Sequence, residues 1–403
     1  MKIHWGLVLL VPWIVGVEAP ASRSGVRPGI EVLLADSAHL VRGKRVGLVT
    51  DQAGVDAQGR RGVDRLLAEG VAVVALFSPE HGFTGAAAPG APVASGTDSV
   101  TGLPIYSLYG ATSAPDDAML AGIEVLLVDL QDAGARYYTY LWTTVGVMRA
   151  AATRRIPVIL LDRPNPIGGG IQGNVLDPVY RSSVGLLAIP MRHGMTLGEL
   201  ALLARHDLEL GTQLTVIPAL GWRRDMFFDA TGLPFVPPSP NLPRLEALQH
   251  YPGLCLFEGT ILSVGRGTDH PFEQIGAPGI DAAALLARLG EVPGVTASGV
   301  RFTPHQPGDH KFPDTAVTGV RLEVVDRSRY DPTLTALRLF AALEQTHPVS
   351  LQLPGRHLAR LFGADPGVLA RLDAARVDSL AAAWRSDQAR FRERRTPYLL
   401  YPE

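Results

Sequence analysis

Four short apolar runs, rich in β-branched residues, constrain this chain more than any other feature: Arg45 to Val49, Val71 to Phe77, Ile123 to Val128 and Ile156 to Leu161. Runs of this length and composition read as strands buried on both faces, as in a parallel sheet. Helical spacing fills the gaps, with Val63, Leu66 and Leu67 inside Gly59 to Gly70 and a longer helix over Thr139 to Arg154. The repeating unit is therefore strand, helix, parallel strand. Each run stops at a polar cluster: Thr50-Asp51-Gln52, Ser78-Pro79-Glu80-His81, Asp129 through Tyr138, and Asp162-Arg163-Pro164-Asn165-Pro166. Parallel strands expose these ends on one edge, where ligands of open α/β sheets bind, so Asp51, Glu80, Asp129, Asp132, Asp162 and Asn165 are candidates to converge. Asp, Asn, Ser and Thr at strand ends also cap the helix that follows. Glu80 and His81 fit capping poorly, because Gly82-Phe83-Thr84 opens no helix, and Glu80 is the expected catalytic acid.

The chain has 403 residues, enough for two domains. Expected boundaries are 1–21 for a secretory leader, 22–208 for the parallel-sheet domain and 209–403 for a smaller auxiliary α/β domain. The leader rests on Lys2, the apolar run Leu7 to Val17 and the small residues of Ala19-Pro20-Ala21. No later run is long enough to span a bilayer, so export to the periplasm or the extracellular space without stable membrane insertion is expected. A net charge of -2 with scattered Lys and Arg gives no field for nucleic acid. Cys255, the single cysteine, excludes an intrachain disulfide, and its setting in GLCLFEG reads as a buried thiol on an apolar strand. Gly168 to Gly173, GGGIQG, has the spacing of a dinucleotide fingerprint but lacks the strand-to-helix context. Neither that stretch nor the pair His305 and His310 calls for a cofactor or metal.

Further along, Gly85 to Gly102 reads as a long loop beside Glu80, a candidate substrate cover. His193 precedes a helix opened by the capping box Thr196 and Glu199. After Asp207 the composition changes: a strand at Leu214 to Pro218, an aromatic passage through Trp222, Phe227 and Phe228, and the proline-fixed stretch Pro237 to Pro243. Glu258 and Arg266 flank a Gly-flexed loop suited to holding a carboxylate-bearing ligand. Helices at Asp281 to Gly290 and Asp331 to Glu344 and a strand at Val317 to Val325 complete the second domain.

Seven ordered motifs give these features a family. SPEHGF (Ser78 to Phe83), TGLPIYSLYG (Thr101 to Gly110), DLQDAGARYYTY (Asp129 to Tyr140), LDRPNPIGG (Leu161 to Gly169), IPMRHGMTLGEL (Ile189 to Leu200), PSPNLP (Pro238 to Pro243) and EGTILSVGRGTDHPFEQIGAP (Glu258 to Pro278) resemble the exo-β-N-acetylmuramidases of the NamZ type. The resemblance implies a Rossmann-like domain followed by an auxiliary domain, an active site between them, and release of N-acetylmuramic acid from the non-reducing end of peptidoglycan-derived glycan fragments. It also implies that Glu80 is the catalytic glutamate and that His81, Asp129, Gln131, Asp132, Arg136, Tyr138, Asn165, His193, Asn241, Glu258 and Arg266 belong to the site. Gly279 departs from the pattern, where a tryptophan is expected.

Glycoside cleavage needs an acid to protonate the leaving oxygen and a second group to activate water or attack the anomeric carbon. For that second group the sequence favours Asp129 over Asp132, with Tyr138 as an unconventional nucleophile or stabiliser. A muramoyl lactyl carboxylate needs a facing cation, and Arg136, Arg163 and Arg266 are the candidates. Two other classes fit the residues: a metal-dependent hydrolase using His81, Asp129, Asp132 and His193, and a non-catalytic muropeptide receptor.

Overall fold

The computed structural model describes residues 25–347 and 355–402; the expected leader lies outside the described residues. Strands β1 (Arg45–Thr50), β2 (Ala72–Ser78), β3 (Gly96–Thr97), β4 (Pro104–Ser107), β5 (Val125–Asp129), β6 (Val158–Leu161) and β9 (Leu214–Ile217) form one sheet in the order β3-β4-β2-β1-β5-β6-β9. All pairings are parallel except that of the edge strand β3. The double burial inferred from composition is visible residue by residue. Leu126, Val128, Val158 and Leu160 join the core on one face, with Val145 and Met148 of α3 (Tyr140–Arg154) and Leu200 and Leu203 of α4 (Leu197–Asp207). Their neighbours Val125, Leu127, Ile159 and Leu161 join the other, with Ile30 and Leu33 of α1 (Gly29–Asp36) and Val63 and Leu66 of α2 (Gly62–Ala68). Period-two alternation with apolar residues in both phases leaves no wet face, which is why these strands carry continuous apolar runs. Gly29 opens α1 so close to β6 that a Cβ there would sit 2.5 Å from the Asp162 amide nitrogen.

Strand β9 lies beyond the boundary expected at residue 208, yet its ladder to β6 runs from Leu214 to Ile217, so the first sheet is complete only after it. The second domain holds α5 (Leu245–Leu254), a 3-10 turn at Cys255–Gly259, β10 (Gln274–Ala277), α6 (Ala282–Leu289), β11 (Val295–Phe302), β12 (Val317–Val324), α7 (Pro332–Thr346) and α8 (Arg356–Phe362). Its sheet is antiparallel, in the order β10-β12-β11. The stretch around Cys255, expected as a strand, is helical instead. Leu248, Leu254, Cys255 and Leu256 are all enclosed, and a helix apolar on every side has no period to distinguish it from a buried strand.

Strands β7 (Gln172–Val175) and β8 (Pro190–Arg192) pair outside both sheets, and β7 packs against the long final helix α9 (Ala374–Arg395). The tail beyond α9 returns to the first domain. Leu400 donates its amide to Glu199 Oε1 at 2.8 Å, and the Tyr401 hydroxyl donates to Asp162 Oδ2 at 2.7 Å.

Asp162 also accepts from the Thr196 hydroxyl and the Gly198 amide, so it caps α4, as strand-end acids often do. Burial raises its pKa to about 6 against the lowering influence of those hydrogen bonds. Between the unfolded value near 3.8 and about 6, the folded chain holds a proton that the unfolded chain has released, so stability falls as pH rises through that window. Compared with Asp162→Asn, which does not titrate, the wild type is expected to lose roughly 2 kcal/mol between pH 4.5 and 7.5 in urea unfolding. A stability difference that is flat or grows with pH would contradict this assignment.

Candidate active site

A cavity of about 410 Å³ lies between the domains. From the first come Glu80, His81, Gly90, Tyr109, Tyr137, Tyr138 and Thr139, then Ser239, Asn241 and Leu242. From the second come Tyr251, Cys255, Glu258, Arg266, Phe272, Asp309, Lys311, His357 and Leu361. Six residues expected at the site therefore meet here: Glu80, His81, Tyr138, Asn241, Glu258 and Arg266.

Glu80 follows β2 in a turn whose next two residues are left-handed, His81 at φ 70° and Gly82 at φ 77°. For a histidine this conformation is uncommon, and it swings the imidazole beside the carboxylate while the chain turns back. Glu80 Oε1 accepts from the Gly90 amide at 2.9 Å, and Oε2 accepts from the Thr139 hydroxyl at 2.7 Å. One bond comes from the Gly-rich loop and the other from the start of α3, so two elements hold the carboxylate while its surface faces the cavity. Burial, with the Glu80 charge second, pushes the Tyr109 phenol well above its ordinary pKa, so it is a neutral donor beside the acid. His81 Nδ1 lies 2.9 Å from the Ala87 carbonyl, and burial lowers its pKa, opposed by Glu80. The neutral ring donates through Nδ1 and leaves Nε2 as an acceptor.

On the second-domain wall, Arg266 Nε donates to Glu258 Oε1 at 2.6 Å, and the guanidinium lies over the Phe272 ring. Lys311 Nζ donates to the carbonyls of Phe257, Glu258 and Leu262 at 3.2, 3.1 and 2.8 Å, which fixes the turn that carries Glu258. Burial depresses the Lys311 pKa, partly offset by Asp309 and Glu258. Cys255 sits at the cavity floor, but burial raises its thiol well above the usual range, so it is an inert wall residue.

The other expected residues lie outside the cavity, for identifiable reasons. Asp129, the favoured second catalytic group, is 1% exposed and held by Arg163, whose Nε and Nη2 reach its two oxygens at 2.6 and 3.0 Å. Asp132 accepts from the Gly134 amide and sits 3.4 Å from His193 Nε2, while His193 Nδ1 accepts from the Met195 amide. Gln131 donates to the carbonyls of Asp132 and Pro164, and Asn165 bonds the Met195 carbonyl and the Ile167 amide. These four groups stitch the loops after β5, β6 and β8 together outside the cavity lining. Tyr138 presents its ring to the cavity, but its hydroxyl donates to the Pro238 carbonyl at 2.7 Å and burial raises its pKa far above 10, which removes the nucleophile reading.

Arg136 is buried beneath the surface and reaches across the domains. Nη1 donates to the carbonyls of Asn174 and Ile189, and Nη2 to those of Leu361 and Phe362. It thus holds the last carbonyls of α8, the helix that brings His357 and Leu361 to the cavity. Burial lowers its pKa to about 10, leaving it charged at neutral pH. The metal reading loses its geometry: His81 lines the cavity, His193 and Asp132 face each other outside its lining, and Asp129 is bound to Arg163. Among the described residues, no three His, Cys, Asp or Glu side chains converge on a point suited to a metal ion.

Sequence reasoning missed Tyr109, Thr139, Asp309, Lys311 and His357. Tyr109 follows β4, which is four residues long and partly exposed, too short to show a period. Asp309 and Lys311 belong to a polar connection between β11 and β12 whose exposed His305 pointed to ordinary surface.

A parallel-sheet domain with a held carboxylate at its strand ends, closed by a second domain with an ion pair and aromatic walls, defines the cleft of an enzyme acting on a small polar ligand. Residues 46–246 match the N-terminal domain, and residues 249–401 the C-terminal domain, of exo-beta-N-acetylmuramidase NamZ; the chain belongs to this family. It is 39% identical over 386 residues to the peptidoglycan beta-N-acetylmuramidase NamZ of Bacillus subtilis strain 168, covering 94% of this chain and 92% of that protein. Crystal structures of two DUF1343 family proteins from Bacteroides fragilis share the architecture. One has a TM-score of 0.84 at 33% identity, covering 93% of this chain and 99% of that one. The other has a TM-score of 0.71 at 32% identity, covering 94% and 100%.

Proposed function

We propose that this chain releases N-acetylmuramic acid from the non-reducing end of peptidoglycan fragments, with Glu80 as the proton donor to the departing sugar. The observation that carries the reading is the double clamp on Glu80 by Gly90 and Thr139 at the wall of the interdomain cavity. A fixed carboxyl group beside a space of about 410 Å³ suits protonation of a glycosidic oxygen on a bound sugar. Mass spectrometry of products from a MurNAc-GlcNAc disaccharide tests it. Free N-acetylmuramic acid and N-acetylglucosamine are expected, and an intact disaccharide after prolonged incubation with folded protein would overturn the reading.

Arg266 is the reader of the lactyl carboxylate. Of the three candidate arginines, Arg136 is committed to four backbone carbonyls and Arg163 to Asp129 away from the cavity, whereas Arg266, although paired with Glu258, lines the cavity. Its fork matches a carboxylate through paired hydrogen bonds, which a lysine cannot reproduce. Arg266→Lys is expected to lower kcat/KM about 10- to 100-fold on muramoyl substrates while changing the glucosaminyl analogue severalfold at most. Equal losses on both substrates would remove this role.

Export is part of the proposal, supported by the layout of residues 1–21. The mature chain found in the envelope fraction should begin near Ser22, as read by N-terminal sequencing.

A further inference from the structure

With Asp129, Asp132 and Tyr138 committed elsewhere, the cavity still needs a group that acts on the face of the sugar opposite Glu80. Two further carboxylates line it, Glu258 and Asp309. They differ in what their oxygens already hold. Glu258 Oε1 is bound by Arg266, and Oε2 lies 3.8 Å from the Cys255 thiol. Asp309 uses only Oδ1, which accepts the Lys311 amide at 3.2 Å; Oδ2 is buried and has no hydrogen-bond partner among the described residues. That oxygen leaves Asp309 with hydrogen-bonding capacity that its described neighbours do not use, in a residue that lines the cavity. Asp309 also lies close enough to Lys311 and Arg266 to interact electrostatically with both, although Lys311 spends its three donors on backbone carbonyls.

The backbone around Asp309 is unusual as well. Gln306, His310, Phe312 and Asp314 all adopt positive φ, so four non-glycine residues within positions 306–314 are left-handed. Such conformations persist where the surroundings enforce them, and they cluster at ligand-contacting segments. The same loop also meets the first domain. Gly308 lies so near Pro89 that a Cβ on it would sit 3.2 Å from the Pro89 ring, and Pro89 precedes the Gly90 amide that holds Glu80. The loop bearing Asp309 therefore packs against the loop whose Gly90 amide holds Glu80, and both carboxylates line the same cavity.

We infer that Asp309 is the catalytic base of this cleft, taking a proton from the water that attacks the anomeric carbon while Glu80 protonates the leaving oxygen. The inference rests on the glycosidase reading above. As the water oxygen bonds to the anomeric carbon, the bond from that carbon to the leaving oxygen breaks. The water's proton passes to Asp309, the Glu80 proton passes to the departing sugar, and exchange with solvent restores both groups. Attack from the far side inverts the centre, so a β-linked substrate gives α-N-acetylmuramic acid first.

The test combines stereochemistry with rescue. Proton NMR of the wild-type reaction with MurNAc-GlcNAc is expected to show the α anomer before mutarotation. Asp309→Ala and Asp309→Asn are expected to lose at least about 100-fold in kcat with KM within severalfold. Sodium azide, a nucleophile that needs no base, should restore turnover to Asp309→Ala and yield the α-glycosyl azide, which a purely structural role would not produce. A first-formed β anomer, a near-wild-type kcat in Asp309→Asn, or a folded Asp309→Ala unresponsive to azide would each overturn the assignment. Wild-type turnover that is lost in Glu80→Gln alone leaves the glycosidase reading standing, so the two failures are distinguishable.

Discussion

Glu80→Gln is expected to lower kcat on a MurNAc-GlcNAc disaccharide by about 10²- to 10⁴-fold, the range by which a positioned general acid accelerates proton transfer. The substitution keeps the volume and the oxygen that the Gly90 amide or the Thr139 hydroxyl reaches, so the turn after β2 should survive it. What it removes is the transferable proton. The size of the defect should then depend on the leaving group. An aryl muramoside with an acidic phenol departs without protonation and should be cleaved by the variant at a rate much closer to wild type, whereas the disaccharide should hardly react. Steady-state kinetics on the two substrates measures this. A variant that loses the same factor on both, or keeps more than about a third of its activity on the disaccharide, would take the acid role from Glu80.

The second large effect concerns stability. Arg163→Met leaves Asp129 charged, enclosed and without its two guanidinium bonds, and breaking one side of a buried pair typically costs 3–5 kcal/mol. We expect a loss of about that size in urea unfolding. The double variant Arg163→Met/Asp129→Leu should recover a large part of it, because two apolar side chains of similar bulk bring no desolvated charge. Asp129→Asn should keep kcat within severalfold once corrected for the folded fraction, since neither partner touches the cavity. A collapse of kcat in a fully folded Asp129→Asn would restore Asp129 to the chemistry.

These two carboxylates show what was legible in the sequence and what was not. The apolar runs placed Glu80 and Asp129 correctly at the ends of parallel strands, and the capping box at Thr196 and the helix over Tyr140–Arg154 were equally readable from local pattern. Whether a strand-end acid faces a ligand or a neighbouring guanidinium depends on partners far along the chain. Asp129 meets Arg163 34 residues later, and Asp162 meets Tyr401 239 residues later. Periodicity carries no information at such separations. The same limit hid Arg136, whose place in a motif-rich stretch suggested a ligand contact, while its actual partners are four carbonyls, two of them more than 200 residues away. Asp309 and Lys311 escaped because loops between antiparallel strands have no period, and their relevance comes only from the approach of Gly308 to Pro89.

The path of the polypeptide also bears on how a sugar reaches the cavity. The chain leaves the parallel sheet after β9, builds the second domain, and comes back as α9 and a tail anchored on Glu199 and Asp162, while Arg136 grips the far end of α8 from below. Two bodies threaded through each other in this way are tied together at several points. Widening the cavity as a whole would strain those ties, which leaves the two loops that meet at its lining, around Pro89 and Gly308, as the easier parts to move when a sugar enters.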